Sequence, residues 1–433
     1  MKTIAPIIIA ALFLTSAEGA DAIAPVSGAQ NQDGHLDGIG TAARFSDPTG
    51  LARDAQGNLF VCDARNHVIR KIAPGGIVTT IAGLAGTAGA ANGTGVNARF
   101  HFPCDITVAP DGSLYVADTG NHCIRKITSA GVVTTIAGAL GSADDIDASY
   151  GVITTVPTSL DGKGSAARFE SPGGIAYHSS GFLYVSDTGH QLIRRVNLDG
   201  TTTTLAGKVN EWGSADGTGA NATFSSPTGL CVGNDGNLYI ADSMNHTIRM
   251  MTPQAVVFTY AGHPDEAASK PGPRLQARFC EPCDITPHPQ GGFIICDSFA
   301  NAVYRLRADG HVSLFAGQAN AAPSDAPMAL AGPVSAVCDP YGNVHVSDTF
   351  HQEIRLVIER FGSTMRKSPS SNQLTITWDS IIGRSYQLQI LQNQTWVNTS
   401  HAPVLATQAQ SSLSFPMPSS HQCGIYRIAL LGF

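Results

Sequence analysis

The sequence predicts an all-β protein: a six-bladed β-propeller whose N-terminal strand closes the last blade, followed by a small C-terminal β-sandwich. Three observations carry that reading. First, the octet Asp118-Thr119-Gly120-Asn121-His122-Cys123-Ile124-Arg125 returns as DARNHVIR at Asp63, DTGHQLIR at Asp187, DSMNHTIR at Asp242, DSFANAVY at Asp297 and DTFHQEIR at Asp348. The leading aspartates are 55, 69, 55, 55 and 51 residues apart, and self-similarity at such a period marks a repeat architecture. Second, the chain has 46 Gly and 24 Pro, while Asp, Glu, Lys and Arg make up only 14% of it. Ordinary soluble domains carry roughly 25% charged residues, so turns are favoured here over charged helix surfaces. Third, short apolar runs flank every octet at the spacing of strands, and five of them end in Ala-Gly.

At the N-terminus, Met1-Lys2-Thr3 precedes an apolar run of eleven residues, Ile4 to Leu14, and the small-residue site Ala20-Asp21-Ala22. A basic start, a short apolar core and an A-x-A site describe a secretory signal peptide over residues 1–22, and the core is too short to span a bilayer. No later stretch approaches the length of a membrane span. The expected location is extracytoplasmic, secreted or periplasmic. A net charge of −7 at pH 7 argues against nucleic acid as a partner, because that binding rests on basic patches that neutralise phosphates.

Each repeat opens on an aromatic or aliphatic residue and a proline three further on: Phe45/Pro48, Phe100/Pro103, Phe169/Pro172, Phe224/Pro227, Phe279/Pro282 and Leu330/Pro333. Proline fits the first residue of a strand, where no ladder donor is lost. A short strand follows, then a turn such as Asp111-Gly112 or Asp235-Gly236-Asn237, whose residues tolerate positive φ. The next strand, Leu114-Tyr115-Val116-Ala117, is apolar on both faces, as expected of a strand buried on both sides. The octet then leads into a third strand, and a fourth, threonine-rich strand ends in Ala-Gly at Gly83, Gly138, Gly207, Gly262 and Gly317. Four antiparallel strands repeated six times describe a six-bladed propeller.

The sixth repeat lacks its fourth strand, whereas Ile23-Ala24-Pro25-Val26-Ser27-Gly28 has that shape just ahead of the first repeat. Residues 23–28 are therefore expected to form the outer strand of the last blade and to remove an open edge. The propeller is placed at 23–361. Gly- and Asp-rich loops join the blades; 17 residues separate Ala-Gly from the next Phe after Gly83, Gly207 and Gly262, but 31 after Gly138. This insertion is the least repetitive part of the ring. Residues 362–373, rich in Ser, Lys, Pro and Asn, read as a linker, and the alternating runs across 374–433 read as a small β-sandwich.

The octets and the strands before them, for instance GSLYVADTGNHCIRKI, closely resemble the NHL repeat family, named for an Asn-His-Leu tripeptide. Asn66-His67, Asn121-His122 and Asn245-His246 match it. Gly189-His190-Gln191 departs, and the last two repeats depart further. The resemblance covers 23 to about 360 and implies the propeller fold; that family and its propeller relatives include protein-binding, RNA-binding and enzymatic members. The C-terminal residues are similar to the fibronectin-type-III-like tails of exported multi-domain bacterial proteins, through Trp378, Gly383, Tyr386, Trp396 and Tyr426-Arg427.

For chemistry, Asp63, Asp118, Asp187, Asp242, Asp297 and Asp348 form a ring of six acids. A residue demanded by every blade is better explained by the blade: an aspartate before a tight turn accepts backbone hydrogen bonds. Arg70, Arg125, Arg194, Arg249 and Arg355, seven residues later, suit a partly buried pair with a nearby carboxylate; Tyr304 replaces the arginine in the fifth octet. His67, His122, His190, His246 and His351 recur near the same turn. Convergent histidines suit zinc, and some propeller lyases that cleave peptidyl-α-hydroxyglycine hold zinc in the channel, but these positions follow the repeat. Asp144, Asp145 and Asp147 in the insertion are the candidate ligand-binding residues, with oxygens suited to calcium; they lack the EF-hand Gly and Glu, and a solvated acidic loop is the plainer reading. Neither calcium nor zinc is singled out. Among nine cysteines, Cys62 with Cys296 and Cys104 with Cys283 share repeat positions in non-adjacent repeats, too far apart to bridge. Cys280 with Cys283 is the one local candidate, and buried free thiols are preferred.

The expected function is an exported non-catalytic binding scaffold, meeting a protein, peptide or glycan on the face built from inter-blade loops and octet turns. The alternative is a metal-dependent propeller lyase or lactonase-type hydrolase with its site at the channel mouth.

Overall fold

A computed structural model describes residues 22–139, 146–147, 152–153, 159–264, 266–320, 329–340 and 342–358, together with the backbone of strands between 363 and 430. The chain falls into two compact units, one spanning Ala22–Val357 and the other containing Ile358–Phe433.

The first unit is a six-bladed β-propeller. Blade 2 shows the plan: Pro103–Val108, Leu114–Asp118, Cys123–Ile127 and Val132–Ala137 form an antiparallel meander from the axis outward. The other innermost strands are Pro48–Arg53, Pro172–His178, Pro227–Val232, Pro282–Pro287 and Pro333–Cys338. Successive innermost strands touch, the sixth against the first, which closes the ring. Every one begins on proline, and in every blade that proline pairs with the octet aspartate. The octet turn and the entry to the innermost strand therefore share one end of the blade, the octet end. The hairpin turns such as Asp111-Gly112 lie at the opposite end, the hairpin end.

The strand following each hairpin is the blade's spine. All five residues of Leu59–Asp63, Leu114–Asp118, Leu238–Asp242 and Phe293–Asp297 are buried, as burial on both faces requires. The apolar clusters span neighbouring blades: Phe60, Cys62 and Ile69 of blade 1 pack with Phe100, Ile106 and Val116 of blade 2. The core thus lies in the seams between blades, where sheet stacks on sheet.

The last blade is completed from the other end of the chain. Ala22–Gly28 lies outside Glu353–Ile358, in the order Ala22–Gly28, Glu353–Ile358, Val344–Asp348, Pro333–Cys338. One feature departs from four strands per blade. Within the Gly-rich connections, Gly38–Ile39, Gly93–Thr94, Gly162–Lys163, Gly217–Thr218 and Gly272–Pro273 each add a short fifth strand to the outer edge of the blade that follows. Two residues are too few to show any periodicity in sequence.

In the second unit, Ser363–Lys367, Gln373–Asp379 and Gln410–Pro416 form one sheet. Ser385–Gln392 pairs with Thr395–Asn398, Val404–Leu405 and Tyr426–Leu430 in another. Ser363–Lys367 falls in the stretch that composition marks as a linker; its polar alternation carried no apolar signal.

Candidate functional site

The octet is a fastener, and its aspartate and arginine are engaged close at hand. In blade 2, Asp118 Oδ1 accepts the N–H of His101 at 2.8 Å, and Oδ2 accepts Asn121 Nδ2–H at 2.8 Å and Arg125 Nη1–H at 2.7 Å. Arg125 and Asp118 are fully buried, and the guanidinium lies over the Phe100 ring, 5.2 Å from its centroid. Arg70, Arg194, Arg249 and Arg355 pair with Asp63, Asp187, Asp242 and Asp348 at 2.6, 2.5, 2.9 and 2.9 Å. The other side of four of these guanidinium groups is met from the inter-blade loop: Arg70, Arg194 and Arg249 bond Asp37, Asp161 and Asp216, and Arg125 bonds Asn92. At Asp63, Asp118 and Asp242 burial outweighs the guanidinium, and it pushes Asp63 and Asp242 up to about 6.

Blade 5 shows the exception. Tyr304 replaces the arginine, its hydroxyl meeting Ser269 and its ring standing edge-on to Phe279. Asp297 instead accepts three backbone N–H groups, from Cys280, Glu281 and Ala300. The loop acid has gone with the arginine, since residue 271, 33 positions before Tyr304 as Asp216 is before Arg249, is Pro271.

The fifth octet position joins one blade to the next. His67, His122, Gln191, His246, Asn301 and Gln352 all adopt positive φ, between 53° and 63°. That left-handed conformation is uncommon for side-chain-bearing residues. His67 Nδ1 accepts the N–H of Phe102 at 3.2 Å, and His122 Nδ1 accepts that of Ser171 at 3.0 Å. Gln191, Asn301 and Gln352 accept the N–H groups of Ser226, Gly332 and Asp47 through their amide oxygens at 2.6, 2.8 and 2.7 Å. The last of these carries blade 6 back to blade 1. His246 bonds instead to the carbonyl of Cys280. His190 and His351, one position earlier, bond through Nδ1 to Asp187 and Asp348. His67, His122 and His246 are thus held by the blade seams and His190 and His351 by their own octets, and among the described residues no three His, Cys, Asp or Glu side chains gather as metal ligands.

Two places depart from the repeat. The first is an axial cavity of about 240 Å³ on the hairpin side of the channel, lined from all six blades and including Arg53, Tyr177, Asp105, Asp284 and Ser335. Asp105 and Asp284 come from opposite blades, 2 and 5, and each carboxylate reaches across a seam. Asp105 Oδ2 accepts the N–H of Ile175 at 2.7 Å and Asp284 Oδ2 that of Ala336 at 3.1 Å, while each Oδ1 accepts the N–H of the next residue. Burial, and for Asp105 also the charge of Asp284, holds both well above the ordinary carboxylate range. Glycine stands at the same position in the preceding blade of each pair. A Cβ on Gly50 would fall 2.5 Å from the Cα of Asp105, and one on Gly229 2.6 Å from that of Asp284. Sequence reasoning missed these acids; the signal was Pro-Cys-Asp-Ile-Thr, which occurs at Pro103 and again at Pro282.

The second is the rim of the octet end. At the third octet position blades 1 to 3 carry Arg65, Gly120 and Gly189, whereas blades 4 to 6 carry Met244, Phe299 and Phe350, which are 52, 73 and 63% exposed. Trp212, 66% exposed, joins them. Its loop is held at the octet end of blade 4 by the bond from Asn245 to the carbonyl of Gly213. The residues corresponding to Trp212 ahead of blades 1, 2 and 5 are Asp33, Ala88 and Ala267. Half of the rim is therefore apolar and exposed, at positions the fold fills elsewhere with small or polar residues.

Asp144 and Asp145 lie outside the described residues, as do residues 1–21. Ile146–Asp147 pairs with Val152–Ile153. Cys280 and Cys283 are both free thiols, like the other described cysteines. No helix of the described residues is long and apolar enough to cross a membrane.

The model of the NHL repeat matches residues 45–72, 100–127 and 224–249, in blades 1, 2 and 4, the three whose octets hold Asn-His. Three of the six blades are therefore similar to the NHL repeat. Similar proteins include Protein SUPPRESSOR OF QUENCHING 1, chloroplastic, of Arabidopsis thaliana, 29% identical over 287 residues that cover 63% of this chain and 26% of that protein. NHL repeat-containing protein 2 of Bos taurus is 28% identical over 246 residues, 51% of this chain and 33% of the relative. Teneurin-3 of Danio rerio is 28% identical over 233 residues, 49% of this chain and 8% of the relative. The chain thus spans a third or less of the length of these relatives. Among solved structures, a structural genomics protein of unknown function from Bacteroides thetaiotaomicron superposes with a TM-score of 0.58 at 20% identity, covering 78% of this chain and 75% of that one. An auxiliary nutrient binding protein from Bacteroides ovatus gives 0.56 at 14%, covering 78% and 76%. At these identities the likeness establishes the six-bladed fold.

Proposed function

We propose that this protein is an exported, non-catalytic binding scaffold, and that its ligand is a protein or peptide segment received on the octet end of blades 4 to 6. The observation that carries this reading is the apolar arc of Trp212, Met244, Phe299 and Phe350. Contiguous exposed apolar side chains are costly in water and mark interaction sites in soluble proteins. Aromatic residues and Met are also the types enriched where proteins meet. The repeat supplies no structural reason for them, because Gly120 and Gly189 serve the same turn. Export rests on the N-terminal pattern, and the C-terminal strands fit a fibronectin-like sandwich accompanying such a scaffold.

A displayed peptide library selected on the full chain tests it. Selected peptides are expected to bind the variant Met244→Ser/Phe299→Ser/Phe350→Ser at least about tenfold more weakly, as loss of hot-spot contacts implies, with the thermal midpoint unchanged. Peptides that bind both proteins equally would refute the assignment. A glycan array run beside it decides whether sugars stack on the same rings.

The second reading, a hydrolase or lyase, is favoured by the axial cavity with its two carboxyl groups. Turnover of a lactone or peptidyl-α-hydroxyglycine panel, lost in Asp105→Asn/Asp284→Asn, would establish it in place of the scaffold.

A further inference from the structure

We propose that the octet-end seams joining blades 1 to 2 and 2 to 3 form an acid-sensitive pair, which open when His67 and His122 are protonated while the remaining seams hold. The geometry is specific. An imidazole nitrogen accepts a hydrogen bond only while it carries no proton. Both Nδ1 atoms accept backbone N–H groups, from Phe102 and Ser171, so both rings must be neutral with the proton on Nε2. Protonation turns each acceptor into a donor facing a donor. The same joint in blades 3, 5 and 6 is made by the amide oxygens of Gln191, Asn301 and Gln352, which do not titrate. The ring therefore contains its own pH-insensitive version of the device.

The surroundings reinforce the sensitivity. His101 is the titratable group that faces His67, its ring 5.6 Å away and nearly perpendicular. Asp187, His101 and His190 face His122. Burial first, then the neighbouring imidazoles, lowers both His67 and His122 below the ordinary value of about 6.5, with Asp187 opposing the shift at His122. The sign follows. Well above pH about 6.5 the folded and unfolded chains carry the same protons at these positions. As pH falls below that value the unfolded or opened form takes up protons first, so the seams lose stability as pH drops through the lowered values.

The device bears on the face itself. Phe102 and Ser171 lead directly into the innermost strands Pro103–Val108 and Pro172–His178, and the Phe102 ring packs against His67 and His101 at the rim. Opening would reshape the octet end on the side of blades 1 to 3 and leave the side of blades 4 to 6 in place. This inference holds whatever the face binds, since it concerns the seams and not the arc.

The experiment is amide hydrogen exchange of the full chain from pH 7.5 to 5, corrected for the intrinsic pH dependence of exchange, comparing wild type with His67→Gln/His122→Gln. In wild type, Phe102 and Ser171 should lose about tenfold in protection relative to Ser226 and Gly332, the scale of one net hydrogen bond. In the variant the ratio should stay flat and protection at pH 7.5 should match wild type. A flat ratio in wild type, or a fall in the variant equal to that of wild type, overturns the proposal. Should the variant fail to fold, imidazole titration of wild type by NMR decides it: protonation of His67 and His122 without loss of protection at Phe102 and Ser171 is equally fatal.

Discussion

At the scale of the residue, the octet arginine and aspartate are one object. Both are buried, and removing either partner leaves the other charge unpaired, which costs about 3–5 kcal/mol at buried pairs. Arg125→Met is expected to lower unfolding stability by about that amount in urea titration, whereas a loss under about 1 kcal/mol would show that Asn121 and the His101 N–H suffice for Asp118. Blade 5 shows what an arginine-free octet requires: three N–H donors on Asp297 and a tyrosine in the vacated volume. A second prediction concerns Asp105 and Asp284. Their carboxyls are held above the ordinary range, so the folded state retains protons that the unfolded state loses near pH 4. The stability they contribute is complete below that pH and declines as pH rises through the raised values. The thermal midpoint of wild type should therefore fall relative to that of Asp105→Asn/Asp284→Asn as pH rises from 4 to 7.5, and parallel curves would contradict the assignment. The octet acids could be read from their sixfold recurrence, and the arginines from a fivefold one. Asp105 and Asp284 share the repeated Pro-Cys-Asp-Ile-Thr, but their facing one axial cavity is not legible until the ring places blades 2 and 5 across one axis.

At the scale of the element, the strand Ala22–Gly28 is the closure of the ring. It covers Glu353–Ile358, which would otherwise present an unpaired edge, and edges of that kind template association. A chain beginning after Gly28 is expected to elute as aggregate, or to melt well below the full chain, in size-exclusion and calorimetric measurements. A monomer of unchanged midpoint would mean that the sixth blade is stable with three strands. This element was legible because the count of Ala-Gly endings left one blade short and one strand spare. The fifth strands were not, since a two-residue pairing has no period and its glycines read as loop. The fifth octet position was half legible: turn-packing histidine was apparent, but its acceptor role across the seam depends on the left-handed backbone at His67 and His122 and on the arrival of Phe102 and Ser171 from the next blade.

At the scale of the whole molecule, sixfold repetition makes the fold and its interruptions mark the surfaces free to serve function. The apolar arc on blades 4 to 6 and the acidic pair in the axial cavity are two such interruptions among the described residues, and they lie toward opposite ends of the channel. They support different readings, so locating the bound ligand decides between them. The most direct measurement is hydrogen exchange of the full chain with and without a peptide selected from a displayed library. The scaffold reading predicts protection at the octet turns around Met244, Phe299 and Phe350. Protection confined to the hairpin end, around Arg53, Tyr177 and Thr286 at the axial cavity, would contradict it.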